Sequence, residues 1–193
     1  LAVENARLFS DLERKADQIL AVSEINFALS SILDLDKLLQ EVVNVIHTRF
    51  SIPQVFIYTV HLGRRKIIFQ AGSSQHSEKL RSNAFAYDLD APQGMIPNVA
   101  RTGKAMLVND VALEPLFKPS KKRPQETKSE MTIPLKFSED VLGILDLQSD
   151  FPGAFTQRDL NLFSGLASGI ALSIRNATLF RSEKWRSLVA DSF

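Results

Sequence analysis

Apolar side chains recur through the start of the chain in alternating steps of four and three. Leu8, Leu12, Ile19, Val22, Leu29 and Leu33 share this stripe with the polar residues Lys15 and Asn26. The spacing predicts a helix with a heptad-like face, sustained over about three and a half repeats. On a seam between two chains, polar residues at such positions fix register at some cost in stability. The same stripe also suits a helix packed on its own domain. A second helix is expected after Asp34, where Leu35, Leu38, Leu39, Val42, Val43, Ile46 and Phe50 fall on one face. Asp34 or Asp36 caps it or complements its dipole, and Pro53 ends it.

The period then shortens. Val55–Val60 and Lys66–Gln70 are rich in β-branched and aromatic residues, and Leu62-Gly63-Arg64-Arg65 between them reads as a hairpin turn. Residues 73–84 are polar and read as loop, and 84–89 as a short strand. Gln93–Thr102 reads as a short helix opened by Gly94 and closed by Gly103, the residue helices favour after their last turn. Met106–Val108 follows as a short strand. The 115–128 stretch holds three prolines and five basic residues and reads as surface loop. Met131, Ile133, Leu135 and Phe137 alternate with polar neighbours, predicting a strand with one buried face. After a turn at 138–140, Val141–Leu147 is its expected partner, with Gly143 where another backbone approaches closely. A last helix is expected from Thr156 as N-cap, with Leu160, Phe163, Ala167, Ile170, Ile174 and Ala177 on one face, running past Trp185.

The two ends of the chain match. A shift of 171 residues places Leu1 on Leu172, Asn5 on Asn176, Ala6 on Ala177, Leu8 on Leu179 and Phe9 on Phe180, with Val3 on Ile174. The match is either chance between two amphipathic helices or, more simply, the mark of an exit or linker helix at 1–19 from a preceding domain of the same kind. The chain is then one unit of a tandem array. Residues 20–182 form the domain itself, and 183–193 a linker into a further module.

Composition narrows the function classes. The 193 residues carry 23 basic and 22 acidic side chains, for a net charge of +1. That balance argues against a nucleic-acid scaffold. The run Lys118, Lys121, Lys122, Arg123 and Lys128 lacks interleaved aromatics and reads as a solvated loop. Cysteine is absent, which excludes disulfides, thiolate metal sites and cysteine nucleophiles within the chain. The most apolar stretch, 163–174, is too short to span a bilayer.

Three stretches resemble the GAF domain family. GMIPNVARTGKAMLVNDV at 94–111 is similar to the family's G-x-x-x-x-V-x-x-x-G-x-x-x-x-V-x-D pattern. SEMTIPLKFSEDVLGILDLQSD at 129–150 resembles its paired strands, and FTQRDLNLFSGLASGIALSIRNATLF at 155–180 its closing helix. They occur in order after the LDLDKLLQEVV opening, and the resemblance covers about 20–182. It implies an α+β fold: an antiparallel sheet of about six strands, the terminal helices packed on one face, and short helices and loops over a pocket on the other. SEKWRSLVADSF at 182–193 looks like the opening of a further module, such as a PAS domain.

The resemblance implies a sensory module rather than an enzyme. Without cysteine, the methionine-sulfoxide reductase chemistry of some relatives and covalent tetrapyrrole attachment lack their residue. The cyclic-nucleotide signature N-K-x-x-x-F-x-x-x-D-E finds only a faint echo in Asn109-Asp110 followed by Phe117. His47, His61 and His76 form no helical i, i+4 metal pair, and neither G-x-S-x-G nor a phosphate-binding glycine loop occurs. No metal, haem or other cofactor is expected. Met95, Asn98, Asn109 and Met131 are the candidates for lining a pocket. The expected partners are an unidentified small molecule, a second copy in a parallel homodimer through the 1–33 and 156–188 helices, and adjoining signalling domains in a cytoplasmic protein. The alternatives are a dimerisation spacer whose pocket is filled by its own side chains, and a small-molecule enzyme.

Overall fold

The leading stripe divides in two. In the computed structural model α1 spans Ala2–Ser31 as one helix. Leu8, Leu12 and Ile19 are 57%, 64% and 70% exposed, whereas Ala21, Ile25 and Ala28 are buried in the core. Val22 and Leu29 are partly buried against that core. A straight helix drifts by about 20° per heptad against a 3.5-residue repeat. That drift is smaller than the roughly 100° of one helical position, and the face that meets the domain is displaced by one position from the sequence stripe by its packing on the core. The structure describes residues 2–32, 34–73, 77–118 and 127–190, with side chains from 3 to 180. Leu33, His76, Lys121, Lys122, Arg123 and the Trp185 side chain lie outside the described residues.

Asp34 begins α2, Leu35–Arg49, its carboxylate accepting the Lys37 N–H at 3.1 Å. Leu38, Leu39, Val42, Val43 and Ile46 face the core. Arg49, in the last turn, pairs with Glu24 and ties the end of α2 to α1.

The strands are β1 Gln54–His61, β2 Lys66–Gly72, β3 Ala86–Asp88, β4 Met106–Val108, β5 Ser129–Phe137 and β6 Asp140–Ser149. They form one antiparallel sheet of order β3-β2-β1-β6-β5-β4. The connection from β3 to β4, which carries α4, takes the chain from one edge of the sheet to the other, and β6 closes the centre by pairing with β1. The other helices are α3 Ser77–Ser82, α4 Met95–Thr102 and α5 Gln157–Ala190.

Two expectations change. Residues 73–84 read as loop, yet Ser77–Ser82 is helical with Leu80 buried as an anchor. One apolar residue in six positions carries no measurable helical period. The β5 strand was expected to bury one face. Its first half buries both, because Glu130 and Thr132 are covered as well as Met131 and Ile133.

Thr156 and Asp159 cap α5 reciprocally. The Asp159 carboxylate accepts the Thr156 N–H at 2.7 Å, and the Thr156 hydroxyl accepts the Asp159 N–H at 3.3 Å. Helices α1, α2 and α5 cover one face of the sheet, burying Val55, Ile57, Met131, Ile133, Leu135, Leu145 and Leu147 beneath Phe163, Ile170 and Ile174. Leu162 lines a groove with Lys15, Gln18, Ile19 and Val22, and further along Leu29 lies against Gly169. Position rises together on the two helices, so α1 and α5 run parallel. The exposed start of α1 and the exposed residues of α5 beyond Ile174 therefore leave opposite ends of the domain.

Candidate ligand-binding face

Alternation along the strands sends every second residue to the sheet face away from the long helices. On β1 and β2 these are Phe56, Tyr58, Ile67 and Phe69. The Tyr58 ring meets Phe69 and Tyr87 edge-on, at centroid separations of 5.7 and 5.6 Å, and Tyr87 meets Phe85 at 5.0 Å. Helix α4 covers this half with Ile96, Val99 and Ala100. Its ends follow from two glycines at positive φ, 112° at Gly94 and 63° at Gly103.

The other half, on β5 and β6, is polar. Register places Thr132 opposite Asp146 and Glu130 opposite Gln148, with Gln54 of β1 opposite Gln148 on its other side. Thr132 and Asp146 are 0% exposed, Gln148 and Gln54 3%, and Glu130 4%. The Thr132 hydroxyl donates toward Asp146 Oδ1 at 3.2 Å and Glu130 Oε1 at 3.3 Å. The Gln148 amide donates to Asp146 Oδ2 at 2.7 Å, and its carbonyl accepts from Thr127 at 2.9 Å. Burying carboxylates is costly unless they are hydrogen-bonded or paired. Glu130 and Asp146 are held on adjacent strands by such bonds, beside the aromatic half of the face.

The four sequence candidates are not brought together. Asn98 on α4 is half-buried and donates to the Met106 sulfur at 3.3 Å; Met106 is the register partner of Thr132. Asn98 thus stands beside the polar surface, and Met95 is buried at the first position of the same helix. Asn109 is exposed and works as a staple. Its backbone carbonyl accepts from Gly153 at 2.8 Å, and its side chain accepts from the Phe155 N–H at 3.3 Å. Met131 packs on the opposite face, under the long helices. Gln54, Glu130, Thr132, Asp146 and Gln148 escaped the sequence reading. Polar residues alternating with apolar ones look like a solvent face until something covers them.

The groove of about 300 Å³ lined by Lys15, Gln18, Ile19, Val22 and Leu162 lies on the helical side, away from this surface. Its apolar lining comes from Ile19 and Val22 of α1 and Leu162 of α5. His47 Nδ1 lies 2.6 Å from the Ile52 carbonyl, and His61 Nε2 lies 3.0 Å from the Thr59 hydroxyl. Partial burial, and then the charge of Arg64, lower the His61 pKa below its ordinary 6.5. Among the described residues no cluster of three or more His, Asp or Glu side chains offers a metal site. None of the described helices is long and apolar enough to cross a membrane.

The GAF domain model matches residues 32–175, three quarters of the chain. The chain belongs to the GAF domain family. A Nif-specific regulatory protein of Herbaspirillum seropedicae is 26% identical over 172 residues, covering 86% of this chain and 30% of that protein. The chain thus spans under a third of the length of this relative. The GAF domain of a phosphoenolpyruvate-protein phosphotransferase from Coxiella burnetii superposes with a TM-score of 0.78 at 17% identity, covering 86% of this chain and 98% of that one. A free methionine-R-sulfoxide reductase from Neisseria meningitidis, in complex with its substrate, superposes at 0.70 with 16% identity, covering 82% and 89%.

The expectation that the chain is not an enzyme is overturned by these reductases, three of which share its fold. A GAF fold carries catalysis in some proteins and regulation in others, so the fold does not set the two apart.

Proposed function

We propose that this GAF domain is a sensory module of a multidomain, cytoplasmic signalling protein, such as a two-component regulator. It binds a small molecule on the face built by α4, β5 and β6, and it passes occupancy to adjoining domains through α1 and α5. The observation that carries this reading is the buried group Glu130, Thr132, Asp146 and Gln148 beside Asn98 and Met106. A face with an amide and a hydroxyl set between two carboxylates, flanked by aromatic rings, fits a small ligand that exchanges hydrogen bonds with it. The 26% identity to a regulatory protein supports the regulatory half. The working domain is taken as 20–182, with 1–19 as a linker helix and 183–193 as a linker into a further module. Native mass spectrometry of the purified chain, followed by thermal shift against amine- and amide-bearing metabolites, tests the reading. A stabilising compound whose effect is lost in Gln148→Leu supports it, and a compound-independent melting curve across the set counts against it.

A second reading is favoured by the exposed residues Leu8, Leu12 and Ile19 of α1 and Leu172 and Leu179 of α5. In it the parallel helices seat a second copy, and the domain acts as a dimerising spacer. Sensing and dimerisation are compatible, since two ligand-biased arrangements of paired helices make a switch.

A further inference from the structure

The polar face and the outgoing helix meet through one hairpin. Glu130 and Thr132 lie near the start of β5, and Asp146 and Gln148 near the end of β6. The opposite end of the same hairpin is the turn 138–140. There the Phe137 ring lies beneath the Arg175 guanidinium, 3.8 Å from its centroid. Arg175 follows Ile174, the last buried apolar residue among the described side chains of α5. Asn176 and the residues 178–180 are exposed. The Phe137–Arg175 contact therefore stands where the described part of α5 turns from buried to exposed.

Between the two ends β6 is pinned. A Cβ on Gly143 would sit 2.4 Å from the Tyr58 carbonyl oxygen, so β6 runs unusually close to β1 there. Opposite Gly143 is Leu135, and the ladder is irregular between Leu135 and Lys136. The polar residues lie on one side of this close contact and the turn on the other. The other wall of the face reaches the same turn. Gly103, at the end of α4, lies within 3.5 Å of Val141 and 3.6 Å of Lys136 when a Cβ is placed on it.

We propose that the β5–β6 hairpin couples the polar face to the outgoing helix, with Gly143 as fulcrum and Phe137–Arg175 as clasp. A change in the hydrogen bonding of Thr132, Asp146 and Gln148 tilts the hairpin about its pinned point. The turn then carries Arg175, and α5 beyond it, to a second position. Shifts of 1–2 Å are the usual size for packed helices that switch. The inference rests on taking the polar face as the ligand site, but it assigns the route of the signal independently of which ligand binds.

Its test needs no ligand. The chain has no cysteine, so spin labels attach only where cysteines are introduced. One pair, Glu41→Cys with Asn176→Cys, reports on α5 just past the clasp. A second pair, Glu41→Cys with Asn161→Cys, reports on its first turns. The hydrogen bonds of the face are altered by Thr132→Val and, separately, by Asp146→Asn, with melting curves to verify folding. The expected result is a shift on the order of 2 Å in the 41–176 distance and none in the 41–161 distance. Phe137→Leu and Arg175→Gln should abolish the shift, and Arg175→Lys, which keeps a cation over the ring, should retain it. A purely structural role for the clasp would disturb both label pairs alike and overturn the proposal. So would a 41–176 shift that persists without the clasp, or no shift with either face variant. A ligand that binds the face without moving residue 176 would sink the coupling while leaving the sensory reading intact.

Discussion

Gly143 lies against the backbone of Tyr58, with room for a hydrogen but not for a methyl group. A Cβ there would be 2.4 Å from the Tyr58 carbonyl oxygen and 3.1 Å from Leu135 Cδ1. The contact sits at the centre of the sheet, where β1 and β6 pair. Neither strand can withdraw without opening the ladder. Gly143→Ala should therefore destabilise the domain by about 2–3 kcal/mol, read as a lower urea midpoint with an unchanged m-value. A midpoint equal to that of the unmodified chain would show that the strands separate there at no cost.

The Asp34 carboxylate satisfies the Lys37 N–H at the start of α2. Removing it with Asp34→Ala should cost about 1 kcal/mol, and Asp34→Ser much less. Equilibrium unfolding of the three proteins ranks them. Equal losses for alanine and serine would mean that capping is not what Asp34 contributes.

Ile19 and Val22 separate association from folding. Ile19 is exposed and Val22 is partly buried against the core. Ile19→Glu should weaken a homodimer and leave the melting temperature of the dilute chain unchanged. Val22→Glu should destabilise the domain itself, by about 2 kcal/mol. Light scattering across a dilution series, with melting curves, distinguishes the two. A chain that is monomeric at every concentration would remove the dimer from the proposed mechanism.

His61 introduces a dependence on acidity. Burial, aided by Arg64, lowers its pKa in the folded state below 6.5. The unfolded chain then binds the proton more tightly, so stability rises with pH between the folded-state pKa and 6.5. It is lost as pH falls through that window and is constant above it. His61→Gln should flatten this part of the profile. Identical profiles for the two proteins between pH 5 and 7 would rule the residue out.

The purified chain should carry no haem and no stoichiometric metal. It has no cysteine, and His47 and His61 already lie within hydrogen-bond distance of the Ile52 carbonyl and the Thr59 hydroxyl. An absorption spectrum with a Soret band, or a metal content near one per chain, would contradict this.

Local chemistry wrote much of the fold into the chain. Asp34 before an amphipathic run, Thr156 with Asp159, and Gly94 and Gly103 around a short helix each act through neighbours a few residues away. Their helices end where those residues stand. Strand alternation and the turns at 62–65 and 138–140 set both hairpins for the same reason. The ordered motifs carried the family. The polar face was a different matter. Glu130, Thr132, Asp146 and Gln148 occupy positions that would be solvent-facing on an isolated hairpin. They become a buried polar group because register sets β5 beside β6 and other parts of the fold cover them. Met131 looked like pocket lining, and one step of a two-residue period puts it on the other face. The α1 stripe misjudged its packed side by one position, because the contact with α2 and α5 chose Ala21, Ile25 and Ala28. Local sequence determines where elements start, stop and alternate, since those choices depend on near neighbours. Which side of each element is buried, and against what, depends on partners in other elements of the chain and is decided only when the sheet closes.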